Sequence, residues 1–173
     1  MTAYVALLRG IGPVTHKAMP LGELAAACGK MGLGEMVSVG NTGNLVFRSG
    51  ESQAAVEAMV TDAVKGFGLG LEVFTRTARQ IQMLVGVAPF PDAAAGWPSQ
   101  MGVCFFHKDP SWPAAYLGFG GPERMRMFSS HLIIDYGAQI SLSKLTIEKS
   151  VGARMTQRNW NSVLTIAGRL AAL

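Results

Sequence analysis

The chain has 173 residues, 49% of them apolar, with a formal charge of +4 and a mean hydropathy of +0.27. That is ample for one domain or two small ones with a buried core. No apolar run approaches the ~18 residues that would cross a bilayer, and the opening MTAYVALLRG lacks the basic start and small-residue cleavage site of a signal peptide, so a cytoplasmic protein without a membrane partner is expected.

The charge is uneven. Residues 1–95 hold equal numbers of acids and bases. Residues 96–173 hold eight bases (Lys108, Arg124, Arg126, Lys144, Lys149, Arg154, Arg158, Arg169) against four acids (Asp109, Glu123, Asp135, Glu148). The excess favours an anionic partner in the second half, but it is too small for a nucleic-acid tail. Cys28 falls in a helical pattern and Cys104 in a strand pattern, with no CxxC, so both read as small buried apolar residues.

Residues 4–8 form a compact apolar run ended by Arg9-Gly10, a first strand, and Gly10-Ile11-Gly12-Pro13 reads as a loop. From Pro20, Leu21, Leu24, Ala25, Cys28 and Met31 recur at helical spacing, closed by Gly32 and Gly34. The stretch Gly40-Asn41-Thr42-Gly43-Asn44 lies between two β-prone runs, 36–39 and 44–48. Its Gly and Asn residues tolerate the positive φ of a hairpin turn. A helix from Ser52 carries Val56, Met59, Val60 and Val64 on one side and stops at Gly66-Phe67-Gly68. A strand over 71–76 completes a β-α-β-β-α-β order.

Residues 77–100 read as a connector, with a short helix over 78–85 broken at Ala88-Pro89-Phe90-Pro91. The same order then returns. The pattern predicts a strand over 102–107, a helix over 112–119, strands over 124–128 and 131–136 around Ser129-Ser130, a helix over 143–151, a brief strand over 154–156, and a helical tail over 159–173 with Val163, Ile166, Ala167 and Leu170 aligned. The fold class expected is therefore α+β: two tandem ferredoxin-like plaits, over 1–76 and 101–173, joined by the 77–100 connector and ending in a C-terminal helix. The strands are apolar on both alternating faces, so both sheets should be covered on both sides by the other plait, the tail helix or a second subunit. A homodimer is one of these possibilities.

Two polar clusters follow from this topology. Strand one pairs with strands three and four, which places Arg9, the Gly10 loop and Lys17 beside Asn41, Thr42 and Asn44. These groups could hold an anion or a planar polar ligand; alternatively Asn and Gly shape the hairpin while Arg9 caps a sheet edge. In the second half, Ser143 reads as a helix N-cap followed by Lys144, with Arg158, Asn159 and Trp160 expected at the same end of the sheet. A lysine in a first turn opposes the helix dipole, which a bound phosphate or carboxylate would relieve. The alternatives are a Lys144–Glu148 pair at i, i+4 and a Trp160 that packs in the core. His16, His107 and His131 have no metal-ligand spacing, no catalytic or cofactor motif is present, and no metal or cofactor is expected.

Several segments together (YVALLRGIG at 4–12, GNTGNLVFRS at 40–49, Ala88-Pro89-Phe90-Pro91, SKL at 143–145 and TQRNWN at 156–161) resemble the bacterial family known as domain of unknown function 1697. The resemblance implies two ferredoxin-like plaits and no established activity. It places the family's polar motifs on Arg9, Gly10, Thr42, Gly43, Asn44, Ser143, Lys144, Arg158, Asn159 and Trp160. Where many relatives continue with Asn-Val-Gly-Gly after Arg9-Gly10-Ile11, this chain has Gly12-Pro13-Val14-Thr15. The functional expectation is binding of an anionic or polar small ligand at the loop clusters. Nucleic-acid binding is disfavoured by the covered sheets and the absence of a Gly-aromatic-Gly pattern, and a purely structural, partner-binding role is the third reading.

Overall fold

The computed structural model describes residues 1–137 and 139–173. The chain divides into two units, Met1–Gln82 with Thr165–Leu173, and Met83–Leu164.

In the first unit, strands β1 (Thr2–Leu8), β2 (Val37–Ser38), β3 (Asn44–Ser49) and β4 (Val73–Thr77) form one antiparallel sheet in the order β2-β3-β1-β4. Helices α1 (Pro13–Ala18) and α2 (Leu21–Lys30) separate β1 from β2, and α3 (Gln53–Gly66) separates β3 from β4. Alternation along β1 sends Tyr4, Ala6 and Leu8 to one face, where they pack with Phe47, with Leu24 and Cys28 of α2, and with Val56, Val60 and Val64 of α3. The helical spacing of these residues is what buries them, at about 1.5–3 kcal/mol for each large side chain. The opposite face, with Val5, Leu7, Val46 and Phe74, is buried too. Ser52 caps α3 by accepting from Ala55 N at 3.3 Å.

The loop expected over 10–13 gives way to α1. Pro13 stands at the first helical position, where its missing N–H costs nothing, and Thr15 Oγ1 accepts from Gly12 N at 2.6 Å. The residues that read as breakers are a helix start.

The second unit repeats the arrangement. The connector contains α4 (Ala78–Val87), α5 (Pro91–Gly96) and a 3-10 turn over Pro98–Gln100. Strands β5 (Met101–Phe106), β6 (Arg124–Phe128), β7 (His131–Asp135) and β8 (Met155–Asn159) form a second antiparallel sheet in the order β6-β7-β5-β8. Both sheets thus have the same strand order relative to chain order. Cys104, Phe106, Leu132 and Ile134 form the core on one face with Tyr116 and Ile147. On the other face Val103, Phe105 and Ile133 are equally buried.

Three expectations fail here. The helix over 112–119 contracts to α6 (Ala114–Leu117), because Trp112 precedes Pro113 and is pushed out of helical geometry. No helix starts at Ser143: Ile140–Leu142 form a 3-10 turn, Ser143 is extended (φ −65°, ψ 135°), and α7 spans only Ile147–Val151. The Ser143 hydroxyl accepts from Leu145 N at 3.3 Å, a local bond that competes with helix formation. Finally, Arg158 and Asn159 belong to β8 itself, which is longer than the 154–156 strand expected. The tail helix α8 (Trp160–Ala171) follows directly, with Val163, Ile166 and Leu170 buried as its spacing implied. No helix among the described residues is long and apolar enough to cross a membrane.

Candidate functional site

The first cluster assembles as the topology demanded. Leu7 pairs with Asn44, and Leu8 N donates to Gly43 O at 2.8 Å, so the end of β1 lies against the hairpin turn. Contact is close: a Cβ on Gly43 would sit 2.6 Å from Ile11 Cγ1 and 3.0 Å from Leu8 Cβ, and its φ of +78° favours glycine independently. Several of the cluster's polar groups are occupied by structure. Asn44 is buried, and its amide donates to Val39 O and Thr42 Oγ1, both at 3.0 Å. His16 Nε2 meets Asn41 O at 2.6 Å. Arg9 N donates to Glu72 O, and its guanidinium lies 3.7 Å from the Glu72 carboxylate in a pair exposed enough to contribute about 0–1 kcal/mol. Lys17 is exposed in the last turn of α1. Thr42 and Asn44 therefore come together, Asn44 with Gly43 holds the turn, and the Arg9 guanidinium lies by Glu72.

The second cluster separates. Arg158 lies on β8, at one edge of its sheet, paired across to Val103. Burial holds its guanidinium down to about 10, and it donates to Thr156 Oγ1 at 2.8 Å and Gln157 O at 2.9 Å. Ser143 and Lys144 lie by the opposite edge, since Ser143 Oγ donates to Glu123 Oε1 at 2.6 Å and Glu123 immediately precedes β6. Three strand spacings, about 14 Å, separate the two edges. Alternation separates them further. Gln157, beside Arg158, faces the Cys104 side, where its Oε1 accepts from Tyr136 OH at 2.9 Å and from Cys104 Sγ at 3.4 Å. Arg158 therefore faces the other way. Asn159 is exposed and caps α8 by accepting from Ser162 N at 2.9 Å, while Trp160 is buried and offers no binding surface. With no helix at 143, the dipole argument for an anion there lapses. So does the i, i+4 pairing with Glu148, whose Oε1 accepts from Met155 N.

Lys144 instead lines a cleft that the sequence reading did not contain, and Ser143 bonds to Glu123 beside it. It has a volume of about 370 Å³ and is lined by Phe119, Pro122, Glu123, Leu142, Lys144 and Leu145. Phe119 and Leu145 are its inner wall, packed on the Cys104–Ile134 core, while Leu142 and Lys144 are exposed. Glu123 is only 7% exposed. One of its oxygens is held by Ser143; among the described residues the other has no partner, and neither does the Lys144 ammonium. Glu123 escaped notice because a lone acid after Gly120-Gly121-Pro122 carries no local pattern. Its pairing with Ser143 depends on a fold contact across the unit.

At the same end of β6, where its first residue pairs with the last residue of β7, stands a different polar group. Arg124 Nε donates to Asp135 Oδ2 at 2.7 Å and its Nη2 to Asp92 at 2.9 Å, with the guanidinium 4.8 Å from the centre of the Phe90 ring. Asp135 also accepts from Trp97 Nε1 at 2.8 Å and Gly137 N at 2.9 Å. Burial pushes the Asp135 carboxyl up, but the Trp97 and Arg124 hydrogen bonds outweigh it and hold it below the usual carboxylate range. Every acceptor oxygen here is engaged, so this network ties strands to the 91–97 segment. No group of metal-ligating side chains occurs among the described residues.

Comparison with known proteins agrees with this architecture and adds no activity. A conserved bacterial protein from Streptococcus pneumoniae, SP0830, is similar in structure over 99% of both chains, with a TM-score of 0.71 at 16% sequence identity, a likeness of fold alone. No curated protein matches in sequence. The family model described as Protein of unknown function (DUF1697) matches residues 1–117, the whole first sheet and the second unit as far as α6. The chain belongs to the DUF1697 family.

Proposed function

We propose that the protein binds a small amphipathic molecule bearing an anionic group in the cleft lined by Phe119, Pro122, Leu142 and Leu145, with Lys144 as the anion's partner. The observation that carries this reading is an unpaired ammonium beside an apolar wall in a cleft of about 370 Å³, within the size range of small-molecule sites. The two frames are read as ferredoxin-like plaits, which the element order and the β2-β3-β1-β4 and β6-β7-β5-β8 strand orders support. The first cluster, with the Asn44 amide bound to its own turn, is read as part of that frame. Nucleic-acid binding has no supporting observation, since the central strands β1, β5 and β7 are buried on both faces.

Isothermal titration with 3-phenylpropionate at low salt tests the reading. Wild type should bind, and Lys144→Ala should weaken binding about fivefold or more, the worth of a partly solvated charge-assisted contact. Equal affinity in Lys144→Ala, or failure of wild type to bind any ring compound bearing a carboxylate, overturns it.

A further inference from the structure

We infer that the ligand of this cleft is a zwitterion, a free α-amino acid with an apolar side chain, its carboxylate at Lys144 and its ammonium at Glu123. The inference rests on the reading above and deepens it. Lys144 and Glu123 line one cleft without forming an ion pair with each other or with any other described residue. Glu123 is a nearly buried carboxylate with a single hydrogen bond, from Ser143 at 2.6 Å, on one of its two oxygens. Glu123 lines the cleft, where an ammonium is the strongest partner that its second oxygen can take.

The two charges together select the ligand. A simple carboxylate gains from Lys144 but is opposed by Glu123, and a simple amine gains from Glu123 but is opposed by Lys144. A molecule carrying both groups close together satisfies both. The apolar side chain then has Phe119, Pro122, Leu142 and Leu145 to cover it. A cleft of about 370 Å³ takes one residue-sized ligand with some water and is small for a dinucleotide or an extended peptide.

Titration of the whole chain with L-phenylalanine, 3-phenylpropionate and phenethylamine separates the possibilities, since the three share a ring and differ in charge. Phenylalanine should bind about tenfold or more tighter than either singly charged analogue. Glu123→Gln keeps an acceptor for Ser143 and should lose the preference, with phenylalanine weakened and phenylpropionate unchanged or tighter. Retained phenylpropionate binding also shows that the variant is folded. Phenylpropionate binding as tightly as phenylalanine to wild type overturns this inference and leaves the Lys144 reading standing. So does a preference that survives in Glu123→Gln. Failure of all three compounds to bind wild type overturns both.

Discussion

Replacing Gly43 by alanine tests the close approach between the end of β1 and the hairpin. Two costs combine. A residue with a Cβ at φ +78° is disfavoured by about 1–2 kcal/mol. The added methyl also meets Ile11 Cγ1 at 2.6 Å, closer than real contacts come, and Leu8 Cβ at 3.0 Å, tighter than most. Neither atom is the tip of a flexible side chain, so β1 or the loop must move, an overpacking cost of about 1–3 kcal/mol. The sum is about 2–5 kcal/mol. Gly40→Ala is the control: its φ of +68° imposes the same backbone cost, but nothing lies within 4 Å of the new Cβ, so about 1–2 kcal/mol is expected. Urea unfolding followed by far-UV circular dichroism measures both, because all three tryptophans lie outside the first unit and fluorescence would report elsewhere. Equal destabilisation by the two substitutions would refute the close packing of Ile11 and Leu8 on the turn.

The Asp135 network makes stability depend on pH. Because the folded carboxyl is held below its unfolded value, the stability it contributes is complete above the unfolded pKa of about 3.9 and is lost as pH falls through the lowered folded value. Asp135→Asn should cost about 1–3 kcal/mol at neutral pH by leaving Trp97 and Arg124 poorly matched. Urea midpoints at pH 7 and pH 3 should converge between wild type and variant, and parallel pH profiles would count against the network. Burial pushes the Cys28 thiol up to about 11 and the Cys104 thiol up as well. A thiol-reactive dye at pH 8 should therefore label neither cysteine until denaturant is added; rapid native labelling of either would contradict its burial.

The sequence revealed most where local signals and topology agree. Alternation in β1, helical spacing in α2, α3 and α8, and the Gly/Asn cluster each specify their element without help from distant residues. The pairing of β1 with β3 then follows from element order, which is why the approach of the end of β1 to the Asn44 turn was foreseeable. Legibility failed where side chains overrode a local pattern. Ser143-Lys144 looks like a helix start, but the hydroxyl is claimed by Glu123 and by Leu145 N. Pro13 looks like a stop and is a start. Arg158 looked like a loop cation, yet it stands on β8 opposite Val103, just as Arg76 stands on β4 opposite Val5. Both arginines are buried, and both precede a helix cap, Thr77 receiving Gln80 N and Asn159 receiving Ser162 N. That correspondence lies in register, which identity between the halves does not display.

The difference between the units accounts for the cleft. In the first, α2 and α3 have 10 and 14 residues, about 15 and 21 Å of rod laid across one face of the sheet. In the second, α6 and α7 stand at the same places in the element order with 4 and 5 residues, about 6 and 8 Å. The remaining cover is irregular chain that contributes single side chains such as Trp112, Phe119 and Leu145 rather than a continuous ridge. A gap at Phe119 and Leu145 is the direct consequence. Pro113, Gly118, Gly120, Gly121 and Pro122 are the residues that shorten the cover, because none of them favours a helix interior. Irregular backbone also needs side-chain partners, and Ser143 bonded to Glu123 supplies one. Yet stability alone does not favour a carboxylate there. An apolar side chain at 123 would fill against Phe119 and Leu145 with no charge to desolvate, and such exchanges of buried charge for packed hydrocarbon are often neutral or stabilising.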